Sequence, residues 1–185
     1  GEDLLEEPAE QALDALEWLR EGEDRGALEH VGLGLHALDE CVALALAEGG
    51  NRVNVNDINK ATLEILRSGR LPYIEYDAAD LLTKALAEKR LVFTHAPEQI
   101  SRGGPVIVTI GTPVDEFLNP VRRVVQACID SLLPHLVDGQ LLVLRSTVFP
   151  GTTDWLHSYI ESKGRKLKIA FCPERVVQGY GIKEL

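Results

Sequence analysis

The chain has 185 residues, 45% of them hydrophobic, enough for one well-buried domain and little more. No run approaches the about 18 uninterrupted apolar residues of a membrane span, and the acidic N-terminus is unlike a signal peptide. A cytoplasmic protein without a membrane partner is therefore expected. The net charge of −10 is lopsided: residues 1–30 carry eleven acids against Arg20 and Arg25, whereas the remaining 18 acids are matched by 17 bases. That balance excludes the clustered basic surface of a nucleic-acid-binding protein.

In chain order, residues 1–30 form an acidic extension in which Ala9, Ala12, Leu13, Leu16 and Leu19 recur at helical spacing after Pro8. An amphipathic acidic helix is expected there, solvated on one face. From residue 31 to 185 short apolar runs alternate with longer helical patterns, as in a doubly wound, mostly parallel α/β sheet of Rossmann type with helices on both faces. The first strand is the weakest, since 26-GALEHVG-32 offers only Ala27, Leu28 and Val31 around Glu29 and His30. Stronger strand signals lie at Arg52–Asn56, Leu91–Thr94, Val106–Ile110, Leu141–Leu144 and Leu167–Phe171. Helices are predicted at Cys41–Glu48, Lys60–Ser68, Ala78–Glu88, Val121–Leu136 and Thr152–Lys163, several of them ended by glycine. The stripe through Val125, Cys128, Ile129 and Leu132 places Cys128 in a core. With Cys41 and Cys172 it makes three widely spaced cysteines and no C-x-x-C pair, which fits a reducing compartment and gives no metal site. His30 and His36 stand alone and read as loop or hydrogen-bonded histidines.

The stretch 31-VGLGLHALDE-40 begins as a phosphate-cradling loop. Gly32 and Gly34 supply the tight turn and the close backbone approach, and Ala37 is the permitted variant of the third glycine, where helix packs on strand. Twenty-five residues after Gly32, Asp57 ends the second strand in VNVND, near the spacing of the acid that binds adenosine ribose hydroxyls, and an acid there favours NAD over NADP. An ordinary turn residue is the alternative for Asp57. The objection is Asp39 and Glu40: a carboxylate about 4 Å from a phosphate is repelled by about 4 kcal/mol at an effective dielectric of about 20, so both must point away for a dinucleotide to bind.

Three further motifs, 109-TIGTPVDEFLNP-120, 144-LRSTVFPGTT-153 and 170-AFCPERVVQG-179, follow successive strands, where ligands of open α/β sheets bind. With 70-RLPYIEYDAADLL-82, they resemble the N-terminal NAD-binding domain of the UDP-glucose/GDP-mannose dehydrogenase family, and CPERVV is most similar to its UDP-N-acetylmannosamine dehydrogenase branch. The resemblance implies two NAD-dependent hydride transfers that convert a sugar C6 alcohol to a carboxylate, with a cysteine trapping the intermediate as thiohemiacetal and then thioester. It implies that Thr112 and Pro113 border the nicotinamide, that Thr147 positions a catalytic water and touches the cofactor, and that Glu174 assists water attack. Gln178 stands where many members carry a glutamate near the nicotinamide, and can hydrogen-bond but not take up a proton. Helix capping is the alternative for Thr147, and pairing with Arg175 the alternative for Glu174. The family's nucleophilic cysteine, linker and sugar-nucleotide domain are expected outside this chain, which alone should not turn over a UDP-sugar; Cys172 aligns with a non-nucleophilic position. A homo-oligomer is implied for the full-length protein. The rival reading is a non-catalytic, degenerate Rossmann module that binds a partner through residues 4–20. The 115-DEFLNP-120 loop reads equally as lid or connection.

Overall fold

The computed structural model describes residues 29–33, 39–100, 104–110, 122–173 and 179–184. The expected acidic helix, the 115–120 loop and the histidine at position 36 lie outside the described residues. In chain order the elements are β1 (Glu29–Leu33), α1 (Asp39–Glu48), β2 (Arg52–Asn56), α2 (Lys60–Arg67), α3 (Ala78–Ala87), β3 (Leu91–Thr94), β4 (Val106–Val108), α4 (Arg122–Leu132), β5 (Leu141–Leu144), α5 (Thr152–Ser162), β6 (Lys168–Phe171) and α6 (Gly181–Glu184). The six strands form one sheet in the order β3-β2-β1-β4-β5-β6, and every pairing is parallel.

The weakly signalled β1 is the central strand. Its polar start is absorbed by a register irregularity between Glu29 and Val31, after which Gly32 pairs with Asn54 on one side and Val106 on the other. It begins at Glu29, ahead of the residue-31 boundary expected from the pattern. Parallel strands covered on both faces must be apolar on both, and β5 shows this: Leu141 and Val143 face one core, Leu142 and Leu144 the other. The first core packs α1, α2 and α3 on the sheet through Val42, Leu44, Leu63, Leu66 and Leu82. The second packs α4 and α5 through Val125, Ile129, Leu156 and Ile160.

Local chemistry ends and starts these helices. Asn59 caps α2, its Oδ1 accepting from Ala61 N at 3.2 Å and Thr62 N at 3.3 Å. Gly69 just beyond it has φ 76°, a left-handed conformation that side chains resist. Two predicted elements are shorter than expected by more than one residue. The helix after residue 121 stops at Leu132 and tightens into a 3-10 turn over Leu133–His135, because Pro134 has no N–H to continue the ladder. The fourth strand ends at Val108, leaving Thr109 and Ile110 beyond it.

Candidate cofactor site

The strand order reverses beside β1. From β1 the chain winds outward to β2 and β3, then crosses back to β4, β5 and β6 on the other side. The carboxyl ends of β1 and β4 therefore flank a crevice at the topological switch point, where open α/β sheets take their ligands. Gly32 lies within β1, one residue from its end, and α1 starts at Asp39. Gly34 and Ala37 fall between them, outside the described residues.

Asp57 follows the last residue of β2, its backbone N–H donating to Thr94 O at 3.0 Å. It continues the alternation of Val53 and Val55, both in the core under α1, so the pleat sets it on the α1 face. One carboxylate oxygen accepts from Asn59 N at 2.7 Å. The turn reading of Asp57 is thus realised through backbone N–H groups of the turn, and a carboxylate offers about four acceptor positions, which leaves capacity for a ligand. Burial raises its pKa, and backbone N–H groups of Asn59 and Ile58 oppose the rise.

Glu40 removes half of the objection raised by the DE pair. Its side chain is only 5% exposed and lies beside the Tyr73 hydroxyl, turned into the protein. Burial, then the charge of Glu40, push the Tyr73 phenol well above its usual range, so it remains a neutral hydroxyl beside that carboxylate. Asp39 is the first residue of α1.

On the other side of the switch point, Thr109 is 5% exposed and its hydroxyl has no hydrogen-bond partner among the described residues. Alternation with Ile107 places it on the α1 face as well. A buried, unsatisfied hydroxyl costs about 1–3 kcal/mol, and a polar ligand in the crevice would relieve it. Ser146 Oγ accepts from Ile110 N at 2.7 Å and ties the segment leaving β4 to the segment leaving β5. Thr147 is exposed immediately beyond that tie. It does not cap α5: the residue in that position is Gly151, at φ 78°, with no side-chain cap. Capping by Thr152 or Thr153 is likewise absent, and Thr152 is buried. Thr112, Pro113, Glu174 and Gln178 lie outside the described residues. Cys172 follows β6, half-buried against the α1-side core, its thiol pushed up by burial although Arg145 opposes the shift.

Sequence reasoning missed Glu75, Tyr73 and Thr109. Around 72-PYIEY-76 the usual rule is inverted: Glu75 is buried while Ile74 is 79% exposed. Hydrophobic alternation would have turned that segment over.

Residues 29–185 match the UDP-glucose/GDP-mannose dehydrogenase family, NAD binding domain. The chain belongs to this family. NAD is accordingly its cofactor, and the Asp57 carboxylate, the Gly32 strand end and the inward-turned Glu40 fit a dinucleotide. Within the family, the chain is 31% identical to a UDP-N-acetyl-D-mannosamine dehydrogenase of Methanococcus aeolicus, over 84% of this chain and 35% of that protein. It is similar to the solved UDP-D-ManNAc dehydrogenase of Pyrococcus horikoshii, with a TM-score of 0.77, 25% identity and coverage of 84% of this chain and 38% of the other. It is also similar to a UDP-glucose dehydrogenase of Pyrobaculum islandicum, with a TM-score of 0.75, 27% identity and coverage of 85% and 38%. The chain spans little more than a third of the length of these relatives. Among the described residues, no helix is long and apolar enough to cross a membrane.

Proposed function

We propose that the chain is the cofactor-binding portion of a nucleotide-sugar 6-dehydrogenase with a UDP-N-acetylmannosamine-like substrate, which oxidises the sugar C6 alcohol to the carboxylate in two NAD-dependent steps. The observation that carries this reading is the carboxylate of Asp57 at the end of β2, next to the central strand that bears Gly32 at the switch point. NAD, when bound, accepts hydride from the substrate carbon. The residues of this chain orient and hold: Asp57 accepts from the adenosine ribose hydroxyls, while Gly32, Gly34 and Ala37 let the backbone approach the pyrophosphate. Thr112 and Pro113 border the nicotinamide, and Gln178 donates or accepts a hydrogen bond near it. Thr147, exposed beyond β5, positions a water, and Glu174 takes a proton from it.

Nucleophilic cysteine chemistry requires a thiolate, and the three cysteines here are unsuited to it. Cys41 is fully buried, burial pushes the Cys128 thiol up to about 11, and Cys172 is also raised. In this reading the nucleophile and most sugar contacts come from residues beyond this chain, and the chain by itself binds NAD without oxidising a sugar. The full-length enzyme is a homo-oligomer that takes a UDP-sugar.

Calorimetric titration with NAD and NADP tests the reading. Micromolar-to-millimolar binding of NAD, abolished by Gly34→Val, is expected because a side chain at the second glycine blocks the pyrophosphate. Absence of binding by either dinucleotide overturns it and leaves a non-catalytic interaction module.

A further inference from the structure

Glu75 is a carboxylate buried to 7% exposure in a segment without regular structure, far in sequence from the groups it serves. Its Oε2 accepts from Gly179 N at 2.8 Å and its Oε1 from Ile182 N at 3.3 Å. The neighbouring backbone strengthens the join, Tyr76 N donating to Gly179 O at 3.2 Å, and the Tyr76 and Tyr180 rings lie 5.5 Å apart. On its other side the same stretch rests on α1: a Cβ added at Gly181 would stand 2.9 Å from Cys41 Sγ and 3.5 Å from Glu75 Oε1. Glu40, Cys41 and Glu75 all lie close enough to the Tyr73 hydroxyl to act on its charge. Residues 73–76, the first turn of α1 and residues 179–182 thus form one closed set of contacts, with the carboxylate of Glu75 at its centre.

Two chain connections give this set a consequence. Residue 179 directly follows the CPERVVQ stretch, and Cys41 is the third residue of the helix that follows the glycine loop. Backbone N–H groups of a helix's first turn are the ones that receive a phosphate. We propose that Glu75 is a positioning residue of the cofactor site, its carboxylate latching the segment after CPERVVQ onto the first turn of α1 and so setting the affinity for NAD. The proposal rests on the functional reading above. Glutamine at this position keeps the shape but replaces one acceptor oxygen with a donor, which faces a backbone N–H and cannot bond to it.

The test compares the wild-type chain with Glu75→Gln, Gly181→Ala and the double variant Cys41→Ala/Gly181→Ala, by amide hydrogen exchange, thermal unfolding and NAD calorimetry. In Glu75→Gln, exchange at Gly179 and Ile182 accelerates while core amides such as those of Ile129 and Leu142 keep their protection, and NAD binds about tenfold more weakly, the scale of one lost hydrogen bond to a charged group. Gly181→Ala reproduces both effects from the opposite side of the segment. Removal of the Cys41 sulfur in the double variant restores most of the affinity, which a general loss of stability would not allow. Unchanged exchange at Gly179 and Ile182 in Glu75→Gln, beside normal wild-type binding, overturns the latch alone. Accelerated exchange with wild-type affinity overturns its positioning role. A wild-type chain that binds no NAD sinks the functional reading and the affinity half of the proposal together, while the exchange measurement still decides whether the latch exists.

Discussion

Cys128 lies on the buried side of α4 against the second core, and its chemistry follows from that placement. Removal of the thiol from water penalises the thiolate, so its pKa rises to about 11 from a usual value near 8.5. At pH 8 the thiolate fraction falls from about one in four to roughly one in a thousand, and only the thiolate reacts. A water-soluble disulfide reagent at pH 8 should therefore label Cys128 in the folded chain on the order of a hundredfold more slowly than in denaturant. Mass-spectrometric mapping of the labelled peptide checks this, and equal rates in both states would show that the thiol is not packed as described. The apolar spacing of Val125, Cys128, Ile129 and Leu132 made this placement readable beforehand. The same logic failed at Glu75, since nothing local in a one-dimensional pattern says that a carboxylate will meet backbone donors more than a hundred residues away.

At the level of elements, the turn before β6 is held to the end of α4 by one guanidinium. Arg165 donates to Leu133 O at 2.6 Å and Leu136 O at 2.5 Å, satisfying carbonyls left open by the tightened helix end, and to Asp138 Oδ1 at 2.9 Å. The hydrogen bond from Arg165, aided by Lys166 N, lowers the pKa of Asp138. A carboxyl whose folded pKa lies below its unfolded value stabilises the fold above the unfolded pKa, near 3.9, and loses that contribution as pH falls through the folded one. The substitution Asp138→Asn should consequently lower the midpoint of urea unfolding by a small, constant amount from about pH 8 down to about pH 5, with the gap closing below about pH 4. The pair is solvent-exposed, so the gap should also shrink in high salt. A gap that widens on acidification would refute the assignment. β4 and α4 both stop short of their apolar runs, because Ile110 N donates to the Ser146 side chain and not to a strand neighbour, and because Pro134 has no N–H to continue the helix ladder.

For the molecule as a whole, strand order was the feature least visible in the sequence and the one on which the site depends. Local periodicity identifies five strands and five helices, but only the parallel crossovers place the weakly apolar EHVGL segment at the centre, between β2 and β4. That position sets the end of β2, with Asp57, beside the switch point, so on the proposed placement of the cofactor its binding draws on the folded sheet. A ligand that binds only the folded chain adds about 2.7 kcal/mol at a free concentration of about 100 times its Kd. For a chain of this length, each kcal/mol shifts the midpoint by about 2–4 °C. Saturating NAD should thus raise Tm by about 5–10 °C in a dye-free scan of intrinsic fluorescence. NADP at the same concentration should raise it far less, because with Asp57 in the proposed role the 2′-phosphate would meet its carboxylate. Burial raises the pKa of that carboxyl, so it protonates at a higher pH than a solvated aspartate, and the difference between the two dinucleotides should narrow as pH falls. Equal shifts by NAD and NADP at pH 8 would remove Asp57 from the cofactor site, and a larger shift by NADP would reverse the assigned cofactor preference.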